Sequence, residues 1–202
     1  MQEGAIRFVV NGRARTVAAP PTLTLLEWLR AEGLVGTKEG CAEGDCGACT
    51  VAIQRPTADG LLETRALNAC IMPMPMVHGA SIRTVEGIAA EDGTPHPIQR
   101  EMAEQHASQC GFCTPGFVMS LWARPPGAPT DRQALEDRLA GNLCRCTGYG
   151  PILAAAAAAA PEADAARDPA AETALALQLG AIGPLDMRVG RHHVMAPHRE
   201  TA

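Results

Sequence analysis

Apolar and polar residues alternate at the start of the chain as they do in a half-buried β-strand, over residues 5–10. The pair Asn11-Gly12 follows, which favours the tight turn of a β-hairpin, and residues 14–17 continue the strand-like pattern. The pattern therefore predicts an N-terminal hairpin. Further strands of the same sheet are predicted where apolar and β-branched residues recur, at residues 50–54, 61–66 and 81–85.

A short helical pattern lies between the hairpin and the next predicted strand. Thr22 or Thr24 is suited to cap its start, Trp28 is one of its apolar positions, and Gly33 is placed to end it. This order of elements predicts a small sheet with one helix lying on it.

The pattern becomes helical after Gly87. Pro115 is well placed in the first turn of one of these helices. Short helices joined by short loops are typical of a small bundle, and four are predicted, at residues 97–107, 115–122, 131–139 and 151–160. From Pro161 onward the sequence is rich in Ala, Pro, Asp and Glu, which predicts a linker or an irregular tail.

Composition narrows the possible functions. Only 3% of the 202 residues are aromatic, so we expect a metal or cofactor to contribute to stability. The net charge of −5 argues against nucleic-acid binding, which needs phosphate-neutralising Lys and Arg. No apolar run approaches the roughly 18–20 residues that span a bilayer, and the N-terminal residues do not resemble a signal peptide. We therefore expect a cytoplasmic protein whose thiols are kept reduced.

All eight cysteines fall into two groups of four. The first group has the spacing C-x4-C-x2-C with a distant fourth member, and comprises Cys41, Cys46, Cys49 and Cys70. The second has two close pairs about thirty residues apart, Cys110, Cys113, Cys144 and Cys146. The first spacing is that of plant-type 2Fe–2S ferredoxins. Such a cluster has two irons that each need two thiolates, so a curled loop supplies three sulfurs and a neighbouring segment the fourth.

Two other interpretations of the cysteines are possible. Disulfide bonds belong to oxidising compartments, and nothing in the sequence suggests export. Structural zinc commonly uses cysteine pairs two to four residues apart. The single-residue gap between Cys144 and Cys146 is less usual for zinc, but the residues alone leave zinc open for the second group.

Glycines accompany the first group at Gly40, Gly44 and Gly47. Glycine permits positive φ and has no Cβ, so it suits a loop whose backbone curls closely around a cluster. The amide N–H groups of such a loop can then donate to the cluster sulfurs. The glycines therefore strengthen the iron–sulfur interpretation.

Three stretches, "GTKEGCAEGDCGACTV", "SQCGFCTPGFVMS" and "AGNLCRCTGYGPIL", together closely resemble the two-cluster iron–sulfur subunit or domain of the xanthine dehydrogenase family of molybdenum hydroxylases. The resemblance covers residues 6–153 and includes both cysteine motifs in the family's order. It is therefore specific, although several enzymes of different substrate class share these motifs.

The resemblance implies an α+β chain in three parts. Residues 1–86 are expected to form a β-grasp ferredoxin-like domain that holds one 2Fe–2S cluster through Cys41, Cys46, Cys49 and Cys70. Residues 87–160 are expected to form an all-α four-helix domain that holds a second 2Fe–2S cluster through Cys110, Cys113, Cys144 and Cys146. Residues 161–202 are expected to be an irregular tail, the remnant of a connection to an FAD domain.

The resemblance also implies a function. In the family the helical-domain cluster lies beside the molybdenum cofactor, and the ferredoxin-like cluster faces FAD. Gln109 matches a position next to the pterin, and Cys146 matches the cluster ligand directed toward it. We therefore expect an electron-transfer subunit with no substrate site of its own. Its expected partners are a molybdenum-cofactor subunit and an FAD-binding subunit or domain, since no complete FAD domain fits after Pro161.

The alternative function is a stand-alone two-cluster module that binds iron–sulfur clusters or senses redox state without a catalytic partner. Co-purification with a large molybdenum subunit would distinguish the two hypotheses. A colourless zinc protein is a more distant possibility.

Other residues that bind metals in proteins are expected to be structural here. Met72, Met74 and Met76 follow Cys70 and are expected to pack over the first cysteine group. No Cys-x-His pair of a Rieske centre occurs, so we expect solvent-exposed or packing roles for the six histidines, His78, His96, His106, His192, His193 and His198.

Overall fold

The computed structural model describes residues 4–189 and 192–196. The chain begins with the predicted hairpin, in which strand β1 (Ala5–Val10) pairs antiparallel with strand β2 (Arg13–Ala18). The two turn residues, Asn11 and Gly12, have φ values of 47° and 78°. Positive φ at both positions matches the twist of a two-residue hairpin, which explains why Asn-Gly stands there.

Helix α1 (Leu25–Ala31) follows, and Thr24 is its cap. The Thr24 hydroxyl accepts the Glu27 N–H at 3.2 Å, and the Glu27 carboxylate accepts the Thr24 N–H at 2.8 Å. This reciprocal capping box satisfies two N–H groups that a helix start leaves unpaired. The helix buries Trp28 edge-on against Phe8 of β1, with ring centroids 5.0 Å apart.

Three further strands complete a five-stranded sheet: β3 (Thr50–Pro56), β4 (Leu62–Asn68) and β5 (Ser81–Arg83). The strand order is β2-β1-β5-β3-β4. Strands β1 and β5 are parallel, and the other neighbours are antiparallel. The predicted sheet with one helix is thereby confirmed.

Strand β3 is buried on both faces. Val51 and Ile53 belong to the first hydrophobic core, which lies between the sheet and α1. Ala52, between them in sequence, belongs to a second core formed with the helices that follow. Because successive side chains of a strand point to opposite faces, β3 lies between the two cores and contributes side chains to both.

Helices lie at the four predicted positions: α2 (Pro97–Glu104), α3 (Thr114–Trp122), α4 (Arg132–Leu139) and α5 (Gly150–Ala165). Helix α2 packs on α5 and α3, and α4 packs on α3 and α5. These elements confirm a mixed α/β fold, while the exact four-helix arrangement stays a prediction. Among the described residues, no helix is long and apolar enough to cross a membrane.

The predicted end of the last of these helices near Ala160 is wrong, because α5 continues through Pro161 to Ala165. The buried Arg124 side chain donates to the Asp164 carboxylate, and the Gly127 N–H donates to the same carboxylate at 3.0 Å. These contacts hold the final turn in place against the cost of an interior proline, about 3 kcal/mol.

The predicted irregular tail is also wrong for the described part of residues 161–202. It contains helix α6 (Pro169–Gly180) and an antiparallel hairpin of strands β6 (Leu185–Val189) and β7 (His192–Ala196). Helix α6 packs on β3, and β6 packs on β1. Composition was misleading because a few apolar residues, Leu179, Leu185 and Met187, are enough to anchor an alanine-rich segment.

Replacement of Leu179 with Ala tests whether α6 belongs to the fold. Leu179 is fully buried, so we expect Leu179→Ala to lower the free energy of unfolding by about 2–5 kcal/mol, through lost burial and a residual cavity. Leu177 lies on the same helix and is 73% exposed. Leu177→Ala is therefore the matched control, with an expected change within about 0.5 kcal/mol. Equal effects of the two variants in denaturant unfolding would show that α6 does not pack as described.

Candidate metal centres

The first cysteine loop lies between α1 and β3 and curls around the Cys41 sulfur. Cys41 Sγ accepts the N–H groups of Asp45 and Cys46, each at 3.4 Å. Backbone N–H donors, that of Glu43 first and then that of Cys46, lower the pKa of the Cys41 thiol to about 6. The loop therefore stabilises a thiolate, the form that binds metal.

Glycines allow this loop to curl, for two different reasons. Gly44 and Gly47 have φ values of 83° and 70°, in the left-handed region that favours glycine. Gly40 is not in that region, but a Cβ there would lie 2.8 Å from the Cys46 sulfur. The absence of a Cβ thus matters at all three positions, and Gly44 and Gly47 combine it with positive φ.

Cys49 and Cys70 form the buried side of the first group. Cys49 ends the loop, and Cys70 lies in a 3-10 turn (Ala69–Ile71) that follows β4. The Ala69 N–H donates to the Cys49 carbonyl at 3.2 Å, which joins the two segments next to the thiols. Burial raises the pKa of the Cys49 thiol to about 12. A thiolate at this position therefore needs a cation beside it.

The second cysteine group joins the start of α3 to the loop between α4 and α5. Cys113 is the N-terminal cap residue of α3. Cys146 Sγ lies 3.6 Å from Cys110 Sγ, and Cys144 Sγ lies 3.2 Å from Thr147 Oγ1. Burial, followed by contact with the Cys144 thiol, raises the pKa of Cys113 to about 12.

The thiols of each group lie close enough to shift one another's pKa: Cys46 acts on Cys41, Cys70 on Cys49, Cys146 on Cys110, and Cys144 on Cys113. Two thiolates per iron is what a 2Fe–2S cluster needs, and bound cations would remove the penalty on the buried thiolates. The residues present therefore fit such a cluster. Within the described residues, no group of three or more His, Cys, Asp or Glu side chains forms a single-ion site.

The two cysteine loops meet directly through their backbones. The Leu143 N–H donates to the Cys46 carbonyl at 3.0 Å. A Cβ on Gly116, in the first turn of α3, would lie 2.1 Å from the Gly47 carbonyl oxygen. Glycine at this position therefore lets the helical half of the chain approach the first cysteine loop.

Two residues that sequence reasoning missed support the cysteine loops. The Asn142 side chain is buried and donates to the Gly47 carbonyl at 3.0 Å. Tyr149 has a positive φ of 67°, and its hydroxyl accepts the Cys144 N–H at 3.0 Å. Both residues stand beside the second cysteine motif in sequence, but nothing in the motif alone indicates these partners.

The two positions expected to face a molybdenum cofactor lie together at the surface. Gln109 and Cys146 are both exposed. Cys110 connects them, because it follows Gln109 in the sequence and its sulfur lies 3.6 Å from the Cys146 sulfur. This placement is compatible with the implied role, which stays a prediction.

Two of the three methionines and two of the described histidines have structural contacts, whereas the expected packing of Met76 is wrong. Met72 and Met74 are buried in the first core, whereas Met76 is exposed. His78 Nδ1 accepts the Arg7 N–H at 3.2 Å, and His96 is the cap residue of α2. His106 is exposed. The side chains of His192 and His193, and all of His198, lie outside what the structure describes.

Two sequence families match the chain. One, described as a 2Fe-2S iron-sulfur cluster binding domain, matches residues 8–75. The other, described as a 2Fe-2S binding domain, matches residues 84–157. Each matched region contains one complete cysteine group.

The curated relatives are much longer than this chain. Xanthine dehydrogenase of Blastobotrys adeninivorans is 49% identical over 156 residues, which is 75% of this chain and 11% of that protein. Aldehyde oxidase 2 of Cavia porcellus is 49% identical over 151 residues, again 11% of that protein. The chain therefore corresponds to a small part of these enzymes.

Two solved structures have a similar fold. A chain of quinoline 2-oxidoreductase from Pseudomonas putida 86 is 33% identical with a TM-score of 0.70, and the match covers 83% of this chain and 100% of that chain. Aldehyde oxidoreductase from Desulfovibrio gigas is 33% identical with a TM-score of 0.68, and the match covers 85% of this chain and 18% of that chain.

Replacement of Gly116 with Ala tests the close contact between the halves. The added Cβ would collide with the Gly47 carbonyl, so we expect the free energy of unfolding to fall by about 1–3 kcal/mol. Gly141 is the matched control, because a Cβ there meets nothing within 4 Å and its φ is not positive. Denaturant unfolding of both variants measures the difference. A Gly116→Ala variant as stable as Gly141→Ala would contradict the described contact.

Proposed function

This chain belongs to the xanthine dehydrogenase family of molybdenum hydroxylases, as their two-cluster iron–sulfur part, and we propose that it relays electrons from a molybdenum cofactor to FAD. The observation that carries the proposal is the set of eight cysteines, four of which lie in each matched region. When bound, 2Fe–2S clusters supply one-electron redox chemistry.

The proposed ligands divide between two clusters. Those of the first cluster are Cys41, Cys46, Cys49 and Cys70, in the part proposed as a ferredoxin-like domain at residues 1–86. Those of the second are Cys110, Cys113, Cys144 and Cys146, in the part proposed as a helical domain at residues 87–160. The chain's own contribution is to donate backbone N–H groups to the sulfurs and to keep part of each group away from water.

The proposed partners are a molybdenum-cofactor subunit and an FAD-binding subunit or domain. Full coverage of the matched quinoline 2-oxidoreductase chain supports a separate small subunit of this size. Gln109 and Cys146 are proposed to face the molybdenum cofactor, in agreement with their exposure at one surface. The side of the first cysteine group is proposed to face FAD. The cytoplasmic location also stays a prediction.

The content of iron tests the proposal first. Two 2Fe–2S clusters require about four irons and four acid-labile sulfides per chain. We expect this content in anaerobically purified protein, together with two distinct EPR signals after reduction, because the two cysteine frameworks differ. Iron for one cluster only, or stoichiometric zinc, would contradict the assignment. Elution as a free monomer, without a molybdenum partner, would instead favour the stand-alone module.

Single ligand substitutions test the division between the clusters. We expect Cys46→Ser to damage the cluster of the first group and leave the EPR signal of the second. Cys113→Ser should have the reverse effect, so each variant is the control for the other. In the complete enzyme, Cys113→Ser should also stop reduction of the first cluster by substrate, since the second group lies nearer the proposed molybdenum side. Substrate reduction of the first cluster in this variant would reverse the proposed order.

A further inference from the structure

Asn142 connects the two cysteine groups through its side chain. Its amide nitrogen donates to the Gly47 carbonyl at 3.0 Å and to Thr50 Oγ1 at 3.2 Å. Its amide oxygen accepts the Ser120 hydroxyl at 2.6 Å. The side chain is 4% exposed, so both donors and the acceptor are used inside the protein.

The partners of Asn142 stand close to proposed ligands of both clusters. Gly47 and Thr50 flank the segment that contains Cys49 in the first cysteine loop. Ser120 lies in α3, the helix capped by Cys113, and Asn142 itself precedes Cys144 by two residues. One buried amide therefore ties together segments that carry ligands of both groups.

The hydrogen bonds around Asn142 form a closed network. The Thr50 hydroxyl also donates to the Gly47 carbonyl at 2.7 Å, so Gly47, Thr50 and Asn142 form a triangle of hydrogen bonds. The next residue, Leu143, donates its N–H to the Cys46 carbonyl at 3.0 Å. Asn142 and Leu143 of the second loop thus bind Gly47 and Cys46 of the first. Two adjacent contacts fix the separation of the two loops and also their relative orientation.

Only an amide of this size satisfies the site. Aspartate has nearly the same shape, but an ionised carboxylate cannot donate and would face the Gly47 carbonyl oxygen. Leucine would fill the space but leave the Gly47 carbonyl and the Ser120 hydroxyl with fewer partners.

We propose that Asn142 is a positioning residue that sets the distance and orientation between the two clusters, and through them the rate at which electrons pass from one to the other. The proposal rests on the proposed function, because it requires a cluster in each cysteine group. Electron transfer and magnetic coupling both weaken steeply with separation, so a small displacement of one loop has a large effect.

The test compares Asn142→Asp and Ser120→Ala with Ser81→Ala in the full chain with its clusters. Ser120 and Ser81 are both buried serines whose hydroxyls donate to a side-chain amide oxygen, that of Asn142 at 2.6 Å and that of Gln54 at 3.4 Å. Ser81 lies in β5, and within the described part of the chain its hydroxyl is hydrogen-bonded to Gln54 and not to Asn142 or its partners. Ser81→Ala is therefore the matched control for loss of a buried hydroxyl.

The measurements are iron content, the EPR signals of the separate clusters, the magnetic interaction between the two reduced clusters at low temperature, and the rate of inter-cluster electron transfer after rapid mixing with a reductant. In Asn142→Asp we expect both clusters to be retained, an altered magnetic interaction, and slower electron transfer between the clusters. Ser120→Ala should change the same quantities to a smaller degree. Ser81→Ala should match the unaltered chain.

Unchanged interaction and rate in an iron-replete Asn142→Asp variant would overturn the proposal. If Asn142→Asp loses iron, the test depends on Ser120→Ala instead. The proposal would then be overturned if Ser120→Ala had the same magnetic interaction and the same electron-transfer rate as Ser81→Ala. Failure of the proposed function would look different, because the unaltered chain would then lack one or both clusters.

Discussion

Direct backbone contact between the first cysteine loop and the helical half of the chain is the constraint on which the rest of the structure depends. The carbonyl of Gly47 lies where a side chain at Gly116 would have to be, and it also accepts the Asn142 amide. Any side chain inserted between these surfaces would separate the two cysteine groups. Glycine is therefore needed at Gly116 for close approach, and at Gly47 for both approach and a φ of 70°.

The cysteine groups are part of the hydrophobic cores as well as candidate metal ligands. Cys49 and Cys70 belong to the first core, and Cys144 belongs to the second. Burial keeps the pKa of Cys49 and Cys113 high, whereas backbone N–H groups lower that of Cys41. Each group thus combines thiols of different acidity, and a bound cation is needed to ionise the buried ones. Metal binding is therefore coupled to folding of the cores, in a chain with only 3% aromatic residues.

Local signals in the sequence were enough to predict the hairpin at Asn11-Gly12, the strands, a cap at Thr22 or Thr24 and the positions of four helices. Each depends on residues close together in the chain. The course of residues 161–189 could not be predicted in this way, because it depends on long-range contacts. The helix passes Pro161 because Arg124 meets Asp164, and the alanine-rich segment packs because Leu179 finds a buried site. Asn142 was missed for the same reason, since its partner Gly47 is distant in sequence.

The shared strand β3 explains why the two cysteine groups keep a fixed relation although they lie in different parts of the chain. Its side chains alternate between the first core, through Val51 and Ile53, and the second core, through Ala52. Helices α3 and α6 both pack against it. Displacing the helical half would expose one face of β3 to water, so burial of apolar surface opposes any such motion. Thr50, the first residue of this strand, hydrogen-bonds to Asn142. Strand β3 therefore begins at the point where the two cysteine loops meet.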